Sequence, residues 1–202
     1  MPDATDLWPW LELARAAAPP VLYLGIGSGR LAVPLAHSGV QLVGVDSHPQ
    51  MLERSAERLP GTELILEGLE RLELNRRFEL VMVPSNILYT LERLRGAARQ
   101  LAPGGRLAFE LANPHWLNAG EHAGVRVLRF DGSEARLEID YVLPGRTYTQ
   151  AADISLIWPE EIDSFLSDAN LRLERMFGHQ DRELTSSPTY YVLARPGLAH
   201  EH

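Results

Sequence analysis

The chain has 202 residues, 45% of them hydrophobic and 23% charged, which suits a folded domain with its own core and excludes a disordered or fibrous protein. It contains no cysteine, so disulfides, thiol nucleophiles and thiolate metal sites are excluded. The net charge of −8 repels a phosphate backbone, and nucleic acid is not an expected partner.

Met1 to Trp10 carries acidic and no basic residues and lacks the apolar stretch of a secretory signal. No apolar run approaches the roughly 18 residues that span a bilayer. The expectation is a cytoplasmic protein with no membrane partner. Asp6 is placed to cap a helix running to about Ala18, where Pro19 and Pro20 stop it. Trp8 and Trp10 on that segment either pack onto the body of the domain or form a small lid.

Val21 to Leu24 reads as a strand buried on both faces, Arg30 to His37 as a helix ended by Gly39, Gln41 to Val45 as a second strand, and His48 to Leu59 as a helix stopped by Pro60 and Gly61. Glu63 to Leu66 and Phe78 to Val83 follow as strands, then a long helix from Ile87 to Leu101, a turn at Pro103-Gly104-Gly105 and a strand from Arg106 to Leu111. Strands alternating with helices predict an α/β fold with a doubly wound, mostly parallel sheet.

After Asn113 the rhythm changes. Val125 to Phe130, Ala135 to Leu143 and Arg146 to Trp158 are strand-like and separated by Asp131-Gly132 and Pro144-Gly145, the pattern of antiparallel hairpins. A helix from Pro159 to Ala169 and two strands, Leu171 to Phe177 and Thr189 to Ala194, close the chain. A single domain is expected: an N-terminal helix in 1–20, a core in 21–112, an antiparallel insertion in 113–158, and a closing helix and strand pair in 159–202.

The most informative segment is Gly25-Ile26-Gly27-Ser28-Gly29, which lies between a buried strand and a helix and lets a ligand approach the backbone. Asp46 ends the next strand at the same sheet edge, where a carboxylate accepts from ribose hydroxyls. Arg30 occupies the position a dinucleotide fingerprint fills with its third glycine, which disfavours a nicotinamide-dependent oxidoreductase.

This loop, Asp46, Gly44-Val45-Asp46-Ser47 with Met51, Phe78-Glu79-Leu80-Val81 and Leu101-Ala102-Pro103-Gly104-Gly105-Arg106-Leu107 together resemble the class I S-adenosylmethionine-dependent methyltransferases over about residues 20 to 112. Trp158 to Arg195 is similar to that family's closing helix and strand pair. The resemblance implies a Rossmann-like fold with a C-terminal antiparallel strand, S-adenosylmethionine as cofactor and a small-molecule methyl acceptor. It further implies that Gly25, Ile26, Gly27 and Gly29 face the methionine portion, Asp46 the ribose, Ser47 and Met51 the adenine, and Gly68, Leu69 and Glu70 the other side of that ring. Pro84, Ser85 and Asn86 would form the floor between cofactor and acceptor.

Tyr23 and Leu69 stand where the family places acids, and a phenol supplies no negative charge near neutral pH. Two readings therefore stay open: a methyltransferase acting on N or O of a small molecule, or a catalytically silent relative that serves as a nucleoside-binding or protein-interaction module. For the first, His115, which leaves the carboxyl end of the strand before it, is the expected general base. His122 beside Glu121, and His179, are also within reach of that edge, whereas His200 and His202 read as terminal. The spacing of His115, Glu121 and His122 suits no zinc site, so no metal is expected. Tyr141 and Tyr148 offer an aromatic wall in a substrate-covering sheet. Alternatively, the apolar alternation there docks on the core or pairs across a homodimer interface.

Overall fold

A computed structural model of the protein describes residues 7–120, 122–143, 146–181 and 183–197. Asp6, Glu121, the Pro144-Gly145 turn, His200 and His202 lie outside the described residues. The elements in chain order are α1 (Trp10–Arg15), β1 (Val21–Leu24), α2 (Ala32–His37), β2 (Leu42–Asp46), α3 (Pro49–Arg58), β3 (Glu63–Leu66), β4 (Phe78–Val83), α4 (Leu91–Ala98) and β5 (Leu101–Ala112). They continue with α5 (Pro114–Asn118), β6 (Val125–Phe130), β7 (Glu134–Leu143), β8 (Arg146–Ser155), α6 (Ile162–Ser167), β9 (Leu171–Gly178) and β10 (Thr189–Pro196).

Seven strands form one sheet in the order β3-β2-β1-β4-β5-β10-β9. The first five are parallel, while β10 runs antiparallel to both β5 and β9. Strands β6, β7 and β8 form a separate antiparallel sheet. The chain is thus α/β with a mostly parallel, Rossmann-like sheet, as its alternating pattern predicts.

Side-chain alternation along the strands divides the main core into two layers. Leu22 and Leu24 of β1 join Leu94, Ala97, Ile162 and Leu166 on the α4–α6 side, while Val21 and Tyr23 join Trp10, Leu35, Leu52 and Leu59 on the α1–α3 side. A third cluster, Leu117, Ala135, Leu137 and Leu156, seats the small sheet on α5.

The elements that differ from the sequence expectation include β5, which starts at Leu101 and runs through the expected Pro103-Gly104-Gly105 turn, accommodated by a register shift against β4 between Phe78 and Leu80. The first helix spans only Trp10 to Arg15, because Pro9 precedes it and Pro19-Pro20 excludes helix before them. Trp10 is 1% exposed and Trp8 sets its ring edge-on against Phe177 and Tyr191, so both tryptophans pack onto the sheet. The helix expected from Ile87 begins at Leu91: Thr90 caps it by accepting from the Arg93 N–H at 3.3 Å, while Leu88 turns into the core instead. The short α5 was not anticipated, although its signal is present. Asn113 caps it by accepting from the His115 N–H at 3.0 Å, and Pro114 takes the first helical position.

Candidate functional site

The glycine loop leaves the carboxyl end of β1, at the edge where open α/β sheets bind ligands. Its backbone is fixed from two sides. The Gly25 and Ile26 N–H groups donate to the Val45 carbonyl, the Gly27 N–H donates to Asp46 Oδ2 at 2.8 Å, and the Gly27 carbonyl accepts from the fully buried Ser55 hydroxyl at 2.8 Å. Arg58 Nη1 donates to the Ser28 carbonyl at 2.7 Å. Ser55 and Arg58, both on α3, escape the sequence reading; the trace they leave is a serine on the buried Leu52–Leu59 face of an amphipathic helix.

Glycine is required here for identifiable reasons. Gly25 has φ of 71°, and a Cβ on it would lie 2.6 Å from Ile87 Cδ1. Gly27 has φ of 56°, and its Cβ would enter open space. That space belongs to a cavity of about 370 Å³.

Asp46 stands at this cavity, its Oδ2 accepting from the Gly27 N–H and its Oδ1 from the His48 N–H at 2.9 Å, with His48 Nδ1 3.3 Å from Oδ1. Oδ2 keeps a further lone pair for a hydroxyl donor. Of the other residues expected at the cofactor, Gly25, Gly27, Ser47, Met51, Gly68, Leu69 and Glu70 line the same cavity. Tyr23, Ile26, Gly29 and Pro84 do not line it. Ile26 points into the core, and Gly29 faces Ser55 and Leu59 of α3. His48, Glu67, Ser85, Ile87 and Arg93 complete the wall without having been anticipated, apart from Ser85.

The two departures from the family pattern have distinct surroundings. Tyr23 is 4% exposed, and burial, the Glu110 carboxylate and, more weakly, Asp46 raise its pKa against the opposing Arg30, so its hydroxyl stays neutral. At the other end, Arg93 Nε donates to Glu70 Oε1 at 2.7 Å and holds that carboxyl below its ordinary range. Arg93 also lies over the Tyr89 ring, 4.8 Å from its centroid. The Leu69 backbone is held by α4: a Cβ on Gly96 would fall 1.8 Å from the Leu69 carbonyl oxygen, so only glycine permits this approach. Arg99 Nη2 donates to the Glu70 carbonyl, and the buried Gln100 side chain bonds to Leu72 and Leu74.

Beyond the cavity, Asn86 joins three segments, accepting from the Ala112 N–H at 3.1 Å and donating to the Ser155 carbonyl at 3.2 Å. His115, on α5, does not line the cavity. Its Nε2 is 2.6 Å from Glu160 Oε1 and its ring meets Trp158 edge-on. His122 stacks on Trp116 with Nε2 at the Trp116 carbonyl, and His179 Nδ1 lies 3.0 Å from the Tyr191 hydroxyl. Tyr141 and Tyr148 form an exposed, stacked cross-strand pair on the small sheet.

A glycine loop clamped to an acid at the end of the second parallel strand, in a sheet that closes with an antiparallel strand, is an α/β arrangement with its cavity at the carboxyl edge of the sheet. The family described as a methyltransferase domain matches residues 21–105. An uncharacterised methyltransferase of Mycobacterium tuberculosis is 35% identical over 109 residues, 52% of this chain and 43% of the relative, so the chain spans less than half of that relative's length. Among solved structures, the CcbJ methyltransferase from Streptomyces caelestis superposes with a TM-score of 0.75 at 24% identity, covering 97% of both chains. An amino pentose methyltransferase from Micromonospora echinaspora with S-adenosylmethionine bound superposes at 0.66 with 21% identity, covering 96% of this chain and 90% of the other. Residues 21–105 thus match a methyltransferase domain in sequence, and the fold as a whole is that of these solved methyltransferases.

S-adenosylmethionine is bound in the amino pentose methyltransferase neighbour, and the residues of this cavity fit such a ligand. Asp46 keeps acceptor capacity for ribose hydroxyls, Met51, Leu69 and Ile87 give apolar surface for a purine ring, and Gly27 leaves the loop open for the methionine chain. Among the described residues no helix is long and apolar enough to cross a membrane.

Proposed function

We propose that the protein transfers a methyl group from S-adenosylmethionine to a nitrogen or oxygen of a small molecule. One observation carries the reading: the Gly25–Gly29 loop, locked to Asp46 through the Gly27 N–H, forms one wall of a cavity whose opposite wall is Gly68–Glu70. The methyl donor is already activated as a sulfonium, so the protein's part is to align the acceptor and exclude water. Ser85 and Asn86 form the floor on which the acceptor is placed, and the β6–β8 sheet, tied to that floor through Asn86 and Ser155, covers it. His115 takes the acceptor's proton and Glu160, at its Nε2, steadies the resulting cation. The amino pentose methyltransferase among the structural neighbours favours an amino-sugar acceptor as the first class to screen.

The test is calorimetric titration with S-adenosylmethionine and S-adenosylhomocysteine. Micromolar binding, weakened roughly tenfold or more in Asp46→Ala through loss of a charged hydrogen-bond partner, supports the reading. An acceptor screen with His115→Asn as control then follows. Absence of binding by the wild-type protein refutes it in favour of a silent, protein-interacting domain.

A further inference from the structure

A second cavity, of about 340 Å³, lies on the α4–α6 side of the sheet and shares no residue with the cofactor cavity. Arg95 of α4 and Arg99 just past it form one wall, and Ala169, Asn170 and Leu171, at the turn from α6 into β9, form the other. Arg99 keeps helical backbone angles, so the two arginines, one turn apart, leave the same helix face. Every bond they make runs to a backbone carbonyl. Arg95 Nε and Nη2 donate to the Asp168 carbonyl at 3.2 and 2.8 Å. Arg99 Nη2 donates to the Glu70 carbonyl at 2.9 Å, with Nε and Nη2 each 3.4 Å from the Leu72 carbonyl. Among the described residues neither guanidinium lies within 4.0 Å of a carboxylate, and no acid lines the cavity. Arg93, on the same helix, is by contrast paired with Glu70.

A carbonyl satisfies an N–H group but carries no net charge, so both positive charges stay uncompensated at this cavity, in a chain whose net charge is −8. A guanidinium carries donors on Nε, Nη1 and Nη2, and Nη1 of each arginine is unspent. The Asn170 side-chain amide, at a turn residue with φ of 56°, also makes no hydrogen bond among the described residues. The end of α6 favours one cation at the Asp168 carbonyl, which accounts for Arg95 there but not for a second guanidinium across the same cavity. Arg99 has a further connection. The carbonyls it holds belong to the segment that carries Leu69 and Glu70 into the cofactor cavity. An anion drawing on its Nη1 fixes the same rigid plane from which Nη2 holds Glu70.

We propose that this cavity binds a phosphate group, free or carried by a small molecule, and that its occupancy tightens the cofactor site through Arg99. Two guanidiniums and an amide suit the several acceptor oxygens of a phosphate, and charge-assisted bonds to it supply the compensation both arginines lack. The binding half stands by itself, whereas the coupling half rests on the function proposed above.

The test titrates the protein with inorganic phosphate at constant ionic strength, with chloride as the comparison anion. Saturable phosphate binding is expected, weakened about tenfold or more in Arg95→Gln through loss of a charged donor and partly restored in Arg95→Lys. Glycerol 3-phosphate bound more tightly than phosphate identifies a phosphorylated small molecule as the ligand, and equal affinity identifies free phosphate. Phosphate that binds no better than chloride overturns the site, and so does equal binding by wild type and a folded Arg95→Gln. The chloride comparison needs no variant, so it decides the site even if Arg95→Gln fails to fold. Saturating phosphate should also strengthen S-adenosylmethionine binding about two- to tenfold, and an unchanged affinity overturns the coupling. A wild-type protein that takes phosphate but no S-adenosylmethionine sinks the function and the coupling with it, and leaves the site standing.

Discussion

Gly96→Ala sets two effects of opposite sign against each other. In an exposed helix interior, replacing glycine by alanine stabilises by up to about 1 kcal/mol. Here the added methyl would lie 1.8 Å from the Leu69 oxygen and 2.8 Å from its carbonyl carbon, whereas ordinary contact begins at 3.4 Å. Helix α4 and the 67–74 segment must separate by roughly 1.5 Å, and overpacking of this kind costs about 1–3 kcal/mol or more. The bonds from Arg99 to the Glu70 carbonyl and from Gln100 to Leu72 and Leu74 cross the same seam, so they are strained with it. Steric cost should win: for a chain of this size the melting temperature falls by about 3–10 °C. Because Leu69 and Glu70 line the cavity, S-adenosylmethionine affinity should fall as well. Circular dichroism melting and calorimetry on the purified variant measure both. An unchanged or raised melting temperature would refute the argument that Leu69 is seated by the absence of a side chain at position 96.

Tyr190→Phe removes a buried hydroxyl that donates to the Ile157 carbonyl at 2.7 Å, and leaving that carbonyl without this donor costs about 1–3 kcal/mol. The urea midpoint should drop with the slope preserved, and an unmoved midpoint would contradict the assignment. Glu174 joins Arg106 on β5 to Arg195 on β10, and the Arg195 and Arg106 guanidiniums hold its carboxyl below the ordinary range. A depressed native pKa contributes stability above the unfolded value near 4.3 and loses it as pH falls through the native one. Glu174→Gln should therefore cost about 0.5–1 kcal/mol at pH 7, allowing for solvent screening, and less near pH 3. Equal losses at both pH values would show that the carboxylate's charge is irrelevant there.

The parallel core was legible because each of its signals is local. Val21 to Leu24 is apolar on both faces, Gly25-Ile26-Gly27-Ser28-Gly29 breaks the strand, and Asp46 ends the next one, all within a short stretch of chain. Gly25, Gly27 and Asp46 of this stretch line the cavity. The start of the helix at Leu91 is not legible, because two competing uses of Ile87 and Leu88, helix face or core plug, look alike in sequence, and only burial of Leu88 separates them. The α5 helix is only about one and a half turns long, and Asn113-Pro114 is its one local signal.

What the sequence could not carry was which distant residues meet. Ser55 reaches the Gly27 carbonyl, Gly96 admits Leu69, and Asn86 joins β5 to the small sheet. His115 likewise reads as a lone loop histidine until Glu160 is brought to it. Hydrophobic periodicity and turn chemistry are properties of neighbouring residues, so they determine elements and the glycine loop by themselves. Hydrogen bonds and steric fit act between atoms a few ångströms apart, whatever their separation along the chain, so those pairings were decided by the tertiary structure alone.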